Sequence, residues 1–296
     1  MLNETAAADK SRFMGDAPEV KEYLKGLTVL FVEDEEFTRE LCSEFLERIV
    51  GVLITAKNGL EGLEAYRKHN PAIIMTDIQM PFMDGLSMLE EIRRRDMDVP
   101  VIILSAFDES DYLKRSIDLG VNGYVLKPVN IARFTESLLK CARVLRAEAA
   151  LRFQERLNRS TLDGLNTNIC VINGQGTIIT TNRAWDDFAA ENGAVPGTCS
   201  EGSNYLESYR VAAKEGQGSA ETFRDGMTAV LNGTLPEFTM EYQCSAPGVE
   251  RWYICTVKRF EVDGLLYAVI SHSDSTDLKL ARDEIGKITD DKRVLS

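Results

Sequence analysis

Histidine is scarce in this chain: His69 and His272 are the two present in 296 residues. The six cysteines (Cys42, Cys141, Cys170, Cys199, Cys244, Cys255) lie far apart and form no Cys-x-x-Cys pair. Neither a tetrahedral zinc set nor a disulfide framework is therefore indicated, and the cysteines read mostly as small buried hydrophobes. No apolar run approaches the ~18 residues that span a bilayer, and residues 1–13 lack the apolar core of a signal peptide. The expectation is a cytoplasmic protein with no membrane partner. Basic side chains are in the minority, 34 against 47 acidic, for a net charge of −13. An acidic surface repels phosphate backbones, so direct nucleic-acid binding is not expected.

What is present is ordinary globular composition, 44% hydrophobic and 27% charged, at a length that suggests two domains. Residues 1–25 have no sustained period and read as a mobile leader. From Thr28 onward, short apolar runs recur at Thr28–Val32, Val52–Ile54, Ile73–Met75, Val101–Leu104 and Tyr124–Leu126. Near-continuous Val/Ile/Leu runs are what strands buried on both faces of a parallel sheet look like. Helical segments are expected between them at Glu36–Ile49, Leu60–Lys68, Leu86–Arg94 and Asp108–Leu119, with another from about Asn130. The alternation reads as repeated βαβ units, an α/β doubly wound five-stranded parallel sheet over residues 26–130. Such sheets bind ligands beyond the carboxyl ends of their strands.

Residues 131–160 read as one long helix continuing the last helix of that domain. Phe134, Leu138, Ala142, Leu145, Ala149, Phe153 and Leu157 recur at mostly three- and four-residue spacing, with a register shift near Arg152. Net charge divides as −9 over residues 1–130, +4 over 131–160 and −8 over 161–296. A basic rod thus joins two acidic bodies. It reads either as a solvated helix packed on its own domain or as a coiled-coil linker. Residues 161–276 read as an α+β domain with an antiparallel sheet, built from runs at 169–172, 177–181, 237–244, 251–260 and 265–272. Asp263-Gly264 marks a hairpin, and residues 277–296 read as a C-terminal helix or tail.

Five side chains of the first domain fall at strand ends: Glu33 and Asp34, Asp77, Ser105 and Lys127. Carboxylates gathered at one sheet edge raise each other's pKa unless a cation sits among them, and an all-oxygen cluster suits Mg²⁺. A metal-bound aspartate facing a lysine can accept a phosphoryl group.

The segments Val32-Glu33-Asp34-Glu35, Asp77-Ile78-Gln79-Met80-Pro81-Phe82-Met83-Asp84-Gly85, Leu104-Ser105-Ala106 and Gly123-Tyr124-Val125-Leu126-Lys127-Pro128 resemble the receiver domain of two-component response regulators, over residues 26–145. The resemblance implies a flavodoxin-like fold in which Asp77 is the phosphoacceptor. Glu33, Asp34, Asp77 and the Gln79 backbone carbonyl would ligate Mg²⁺, and Lys127 and Ser105 would stabilise the phosphoryl group. It further implies that Ser105 and Tyr124 are the switch pair and that Lys127-Pro128 is cis. Gln79 and Phe107 occupy the positions that tune phosphoryl lifetime, and an apolar ring at 107 with no carboxylate at either place implies a lifetime of minutes or longer. The implied partner is a cognate histidine kinase or phosphotransfer protein.

Residues 160–275 resemble a PAS sensor domain through Ile169–Gly176, Thr181-Asn182-Arg183-Ala184-Trp185, Glu241-Tyr242, Arg251-Trp252-Tyr253 and Ser271–Asp277. Ser275 stands where the closing Asp-Ile-Thr motif of such domains has an apolar residue. The Asn-Cys-Arg-Phe-Leu-Gln run of flavin photoreceptors is missing. His272 falls on the final strand rather than on a helix facing a pocket, so a haem ligand is not expected. Trp185, Trp252 and Tyr253 read as core or dimer contacts, and the expectation is a cofactor-free dimerisation module. The whole reads as a response regulator that homodimerises through its receiver face, linker helix or PAS domain. Its chemistry would be limited to self-phosphorylation from phosphodonors and autodephosphorylation. The alternative is the receiver-PAS part of a larger sensor kinase or nucleotide cyclase.

Overall fold

The computed structural model describes residues 17–106, 110–191, 197–214, 218–243 and 250–294. The chain divides into two compact units, residues 1–153 and 154–296.

In the first unit, β1 (Thr28–Val32), β2 (Val52–Ala56), β3 (Ile73–Asp77), β4 (Val101–Ser105) and β5 (Gly123–Leu126) form a parallel sheet in the order β2-β1-β3-β4-β5. The helices α2 (Glu36–Leu46), α3 (Gly59–His69), α4 (Gly85–Arg93) and α5 (Ser110–Asp118) alternate with them. Successive strand residues point to opposite faces. Val29, Phe31, Met75, Ile102 and Leu104 thus enter one core, and Leu30, Val32, Ile74, Val101 and Ile103 the other. Unbroken apolar runs were needed in β1, β3 and β4 because both faces of these strands are covered. Local chemistry sets the helix starts. The Asn58 side chain caps α3 by accepting from Glu61 N at 3.0 Å, and Asp84 caps α4 by accepting from Ser87 N at 2.7 Å.

Residues 1–16 of the expected mobile leader lie outside the described residues, whereas the rest of that segment is helical through Leu24. Ala17–Leu24 forms α1, whose Val20 and Leu24 are each 1% exposed in the core that holds Leu46, Val50, Leu138 and Cys141. Its apolar residues are too few to show a period, yet they cap an otherwise open end of the core. The long helix α6 runs from Ile131 to Asp163 and buries Phe134, Leu138, Cys141 and Ala142. Farther along, Val144, Leu151, Phe153 and Leu157 are exposed.

In the second unit, β6 (Asn168–Asn173), β7 (Ile178–Thr181), β8 (Glu237–Gln243), β9 (Trp252–Val262) and β10 (Leu265–Asp274) form an antiparallel sheet in the order β7-β6-β10-β9-β8. Helices α7 (Arg183–Glu191), α8 (Tyr205–Lys214) and α9 (Gly218–Leu231) fall between β7 and β8, and α10 (Thr276–Val294) follows β10. Cys170, Ile172, Cys255, Val257, Ala268 and Ile270 pack from the sheet against Trp185, Phe223, Met227 and Val230. Cys42, Cys141, Cys170 and Cys255 are buried and Cys199 is half-buried, while Cys244 lies outside the described residues. Among the described residues, no helix is long and apolar enough to cross a membrane.

Candidate functional site

The strand register assembles the site. Val32 pairs with Thr76, so Glu33 stands level with Asp77. Asp77 pairs with Leu104 and Ser105 with Leu126, so Ser105 lies one residue beyond Asp77 and Lys127 one beyond Ser105 at the same carboxyl edge. This is the edge where connections from β1 and β3 diverge, since β1 lies between β2 and β3.

Lys127 Nζ lies 2.6 Å from Asp77 Oδ2 and 2.9 Å from Glu33 Oε1. Glu33 is fully buried, Asp77 is 7% exposed and Asp34 is exposed. Burial pushes the Glu33 carboxyl above its usual range and nearby Asp77 adds to the rise, with Lys127 opposing both. Burial pulls the Lys127 ammonium down, but its hydrogen bonds to Asp77 and Glu33 outweigh that and hold it above the ordinary lysine value.

Glu33, Asp34 and Asp77 each bring a carboxylate oxygen within 4.8 Å of the others. Glu33 Oε2 is buried with no hydrogen-bond partner among the described residues. An orphaned carboxylate oxygen beside two more carboxylates, with one ammonium to balance them among the described residues, fits a hard divalent cation such as Mg²⁺. A cavity of about 250 Å³ opens beside Asp77, with Gln79, Ser105, Ala106, Tyr112 and Lys127 among its walls.

Ser105 Oγ donates to the Ala106 carbonyl at 2.9 Å, and Tyr124 is 36% exposed. The Lys127-Pro128 peptide is cis. Phe107 lies outside the described residues. Several residues not singled out by sequence also shape the site. Arg39 Nη1 donates to the carbonyls of Glu33 and Asp34, and Thr76 Oγ1 donates to the Asp77 carbonyl. Gly85 is required for space, because a Cβ there would lie 2.0 Å from the Asp77 carbonyl oxygen. Its Asp-Gly signature was visible in sequence, whereas Arg39 and Tyr112 arrive from helices whose spacing carries no hint of the site.

His272 lies on the final strand, β10, as expected, and from there its side chain also reaches a pocket. It points inward, is 3% exposed, and helps line a cavity of about 190 Å³ with Tyr209, Phe223, Met240 and Tyr242. Its Nδ1 is 2.6 Å from Tyr242 Oη, and burial brings the imidazole down to about 4. Trp185 and Tyr253 are core residues, and Lys279 Nζ sits 4.7 Å from the centre of the Trp252 ring.

A doubly wound sheet with acids, a hydroxyl and a lysine on one carboxyl edge defines a receiver-type domain. The sequence profile of the response regulator receiver domain matches residues 29–139, and the chain belongs to that family. It is 35% identical over 100 residues to the chemotaxis protein CheY of Halobacterium salinarum, covering 34% of this chain and 83% of that protein. It is 29% identical over 143 residues to a probable C4-dicarboxylate response regulator DctR of Priestia megaterium, covering 48% and 61%. The regulator of RpoS of Escherichia coli is 32% identical over 137 residues, covering 46% and 41%. The matched part thus spans less than two thirds of these last two relatives.

Proposed function

We propose that this chain is a response regulator that accepts a phosphoryl group on Asp77 and passes the resulting change through α6 to its second unit. The observation that carries the reading is the Lys127 ammonium held between Asp77 and Glu33 beside a cavity at the sheet's carboxyl edge. In the transfer, a carboxylate oxygen of Asp77 attacks the phosphorus of a phosphohistidine. The P–N bond breaks, and the electron pair leaves with the imidazole. Mg²⁺ held by Glu33, Asp34, Asp77 and the Gln79 carbonyl would neutralise charge on the phosphoryl oxygens. Lys127 supplies a fixed positive charge at Asp77. The Ser105 hydroxyl, now spent on a neighbouring carbonyl, can turn to a phosphoryl oxygen. Tyr124, half in solvent, can then move into the space released.

The second unit is assigned as a PAS domain. Its support is a five-stranded antiparallel sheet with helices inserted between its second and third strands in sequence. Exposed Leu151, Phe153 and Leu157 on α6 support dimerisation as the output. The phosphodonor would be a histidine kinase or phosphotransfer protein. Acetyl phosphate with Mg²⁺ should label the wild type and leave Asp77→Asn unlabelled by intact-mass analysis. Persistent labelling of the variant would assign the acceptor elsewhere. Beryllium fluoride, as a phosphoryl mimic, should shift the dimer equilibrium seen by light scattering.

A further inference from the structure

We propose that Phe82 selects the protein phosphodonor, an inference that rests on Asp77 being the phosphoacceptor. Phe82 is 86% exposed, so folding gains little from its ring. Its backbone lies in the left-handed region at φ 68°, where a bulky side chain is an outlier and Gly or Asn is the easy choice. The surrounding hydrogen bonds impose that conformation. Gly85 N donates to the Ile78 carbonyl at 2.9 Å and closes the loop at its base. Met83 N donates to the Pro81 carbonyl at 2.9 Å, and Gly59 N donates to the Met83 carbonyl at 3.0 Å, which pins the tip to the start of α3. A strained residue whose ring is left in water gives the free protein no return, and such positions cluster where a complex uses them.

The loop's place says which complex. Phe82 is three residues from Gly85, which abuts the Asp77 carbonyl, and three residues reach at most about 10 Å. A protein donor must bring its phosphorus to within about 3–3.5 Å of the attacking oxygen, and so must cover this loop. A small phosphodonor need not. The same rim, after the carboxyl ends of β1 and β2, carries exposed Phe37 and Leu41 on α2 and Leu60 on α3. Asp34, Glu35, Glu36 and Glu40 are exposed around Phe37. The partner that fits is a histidine-phosphorylated protein with an apolar patch flanked by lysine or arginine, in which an aromatic anchor carries much of the binding.

The test pairs two donors. Phe82→Asn keeps the left-handed backbone accessible, and its labelling by acetyl phosphate should stay within about twofold of wild type. Transfer is then profiled at short times from the autophosphorylated histidine kinases of the same genome. The wild type should prefer one of them, and Phe82→Asn should receive phosphoryl from it at least tenfold more slowly, a difference of about 1.4 kcal/mol. Phe82→Gly should show the same loss with no fall in melting temperature. Unchanged transfer from the preferred kinase overturns the inference, as does a wild type that takes acetyl phosphate but distinguishes no kinase. A parallel fall in acetyl phosphate labelling would place Phe82 in the site itself and also overturn it. Self-association abolished by Phe82→Asn would assign the ring to a second copy of the chain. Failure of the wild type to label from acetyl phosphate would instead sink the Asp77 reading.

Discussion

Replacing Lys127 with Met keeps most of the side-chain stem and removes the ammonium that lies 2.6 Å from Asp77 and 2.9 Å from Glu33. The fully buried Glu33 would then face Asp77 with no cation between them. Removing one partner of a buried pair costs about 3–5 kcal/mol, and the 23% exposure of the lysine side chain argues for the lower end, about 3 kcal/mol. A unit of this size loses about 2–4 °C of melting temperature per kcal/mol, so the expected fall is about 6–12 °C at neutral pH without metal.

The pH dependence has a definite sign. Burial and then Asp77 already hold the Glu33 carboxyl above its usual 4.5, against Lys127. Without the lysine it rises further. A raised carboxyl favours the fold below its unfolded pKa, and that contribution disappears as pH rises through the folded value. The deficit of the variant should therefore be smallest below about pH 4.5 and largest near neutrality. In the wild type, the raised Lys127 keeps its ion pairs through neutral pH and loses them only above the ordinary lysine range.

Scanning calorimetry measures the shift. Tryptophan fluorescence identifies the other transition, because Trp185 and Trp252 both lie in the second unit. Millimolar Mg²⁺ should restore part of the loss. An unchanged first-unit transition at neutral pH, or a larger deficit in acid than at neutrality, would refute the reasoning.

Three further outcomes are expected. Gly85→Ala should destabilise the first unit by about 2 kcal/mol or more and slow acetyl phosphate labelling, because its Cβ would displace the Asp77 carbonyl; calorimetry and labelling rates check both. His272 falls from 6.5 when unfolded to about 4 when buried, so stability of the second unit that is present above about pH 6.5 should be lost as pH falls toward 4. The loss is about 3 kcal/mol, and fluorescence melts of His272→Phe should show a flatter profile. Ser275 is 6% exposed and its hydroxyl has no hydrogen-bond partner among the described residues, so Ser275→Ala should stabilise the second unit by about 1 kcal/mol in the same melts.

The chain's text was sufficient wherever a residue's role follows from its neighbours along the backbone. Unbroken apolar runs specified the strands, and four of the five were followed by a chemically distinctive side chain: Glu33, Asp77, Ser105 and Lys127. Because parallel strands in register bring their carboxyl ends to one edge, the order of these residues already described the site. Other features depend on contacts between distant segments and left no local trace. Val20 and Leu24 form a core helix only because the far end of the first core, with Leu138 and Cys141, is there to receive them. His272 faces inward because the pairing of β10 with β9, in which it stands opposite the buried Cys255, sets which way the strand's alternation points. The left-handed turn at Phe82 is imposed by hydrogen bonds from Gly59 and Gly85 to its flanking loop. Sequence determined the chemistry available at the receiver edge through the order and spacing of its side chains. Tertiary structure decided orientation, burial and backbone strain, because these are fixed by which segments meet in space.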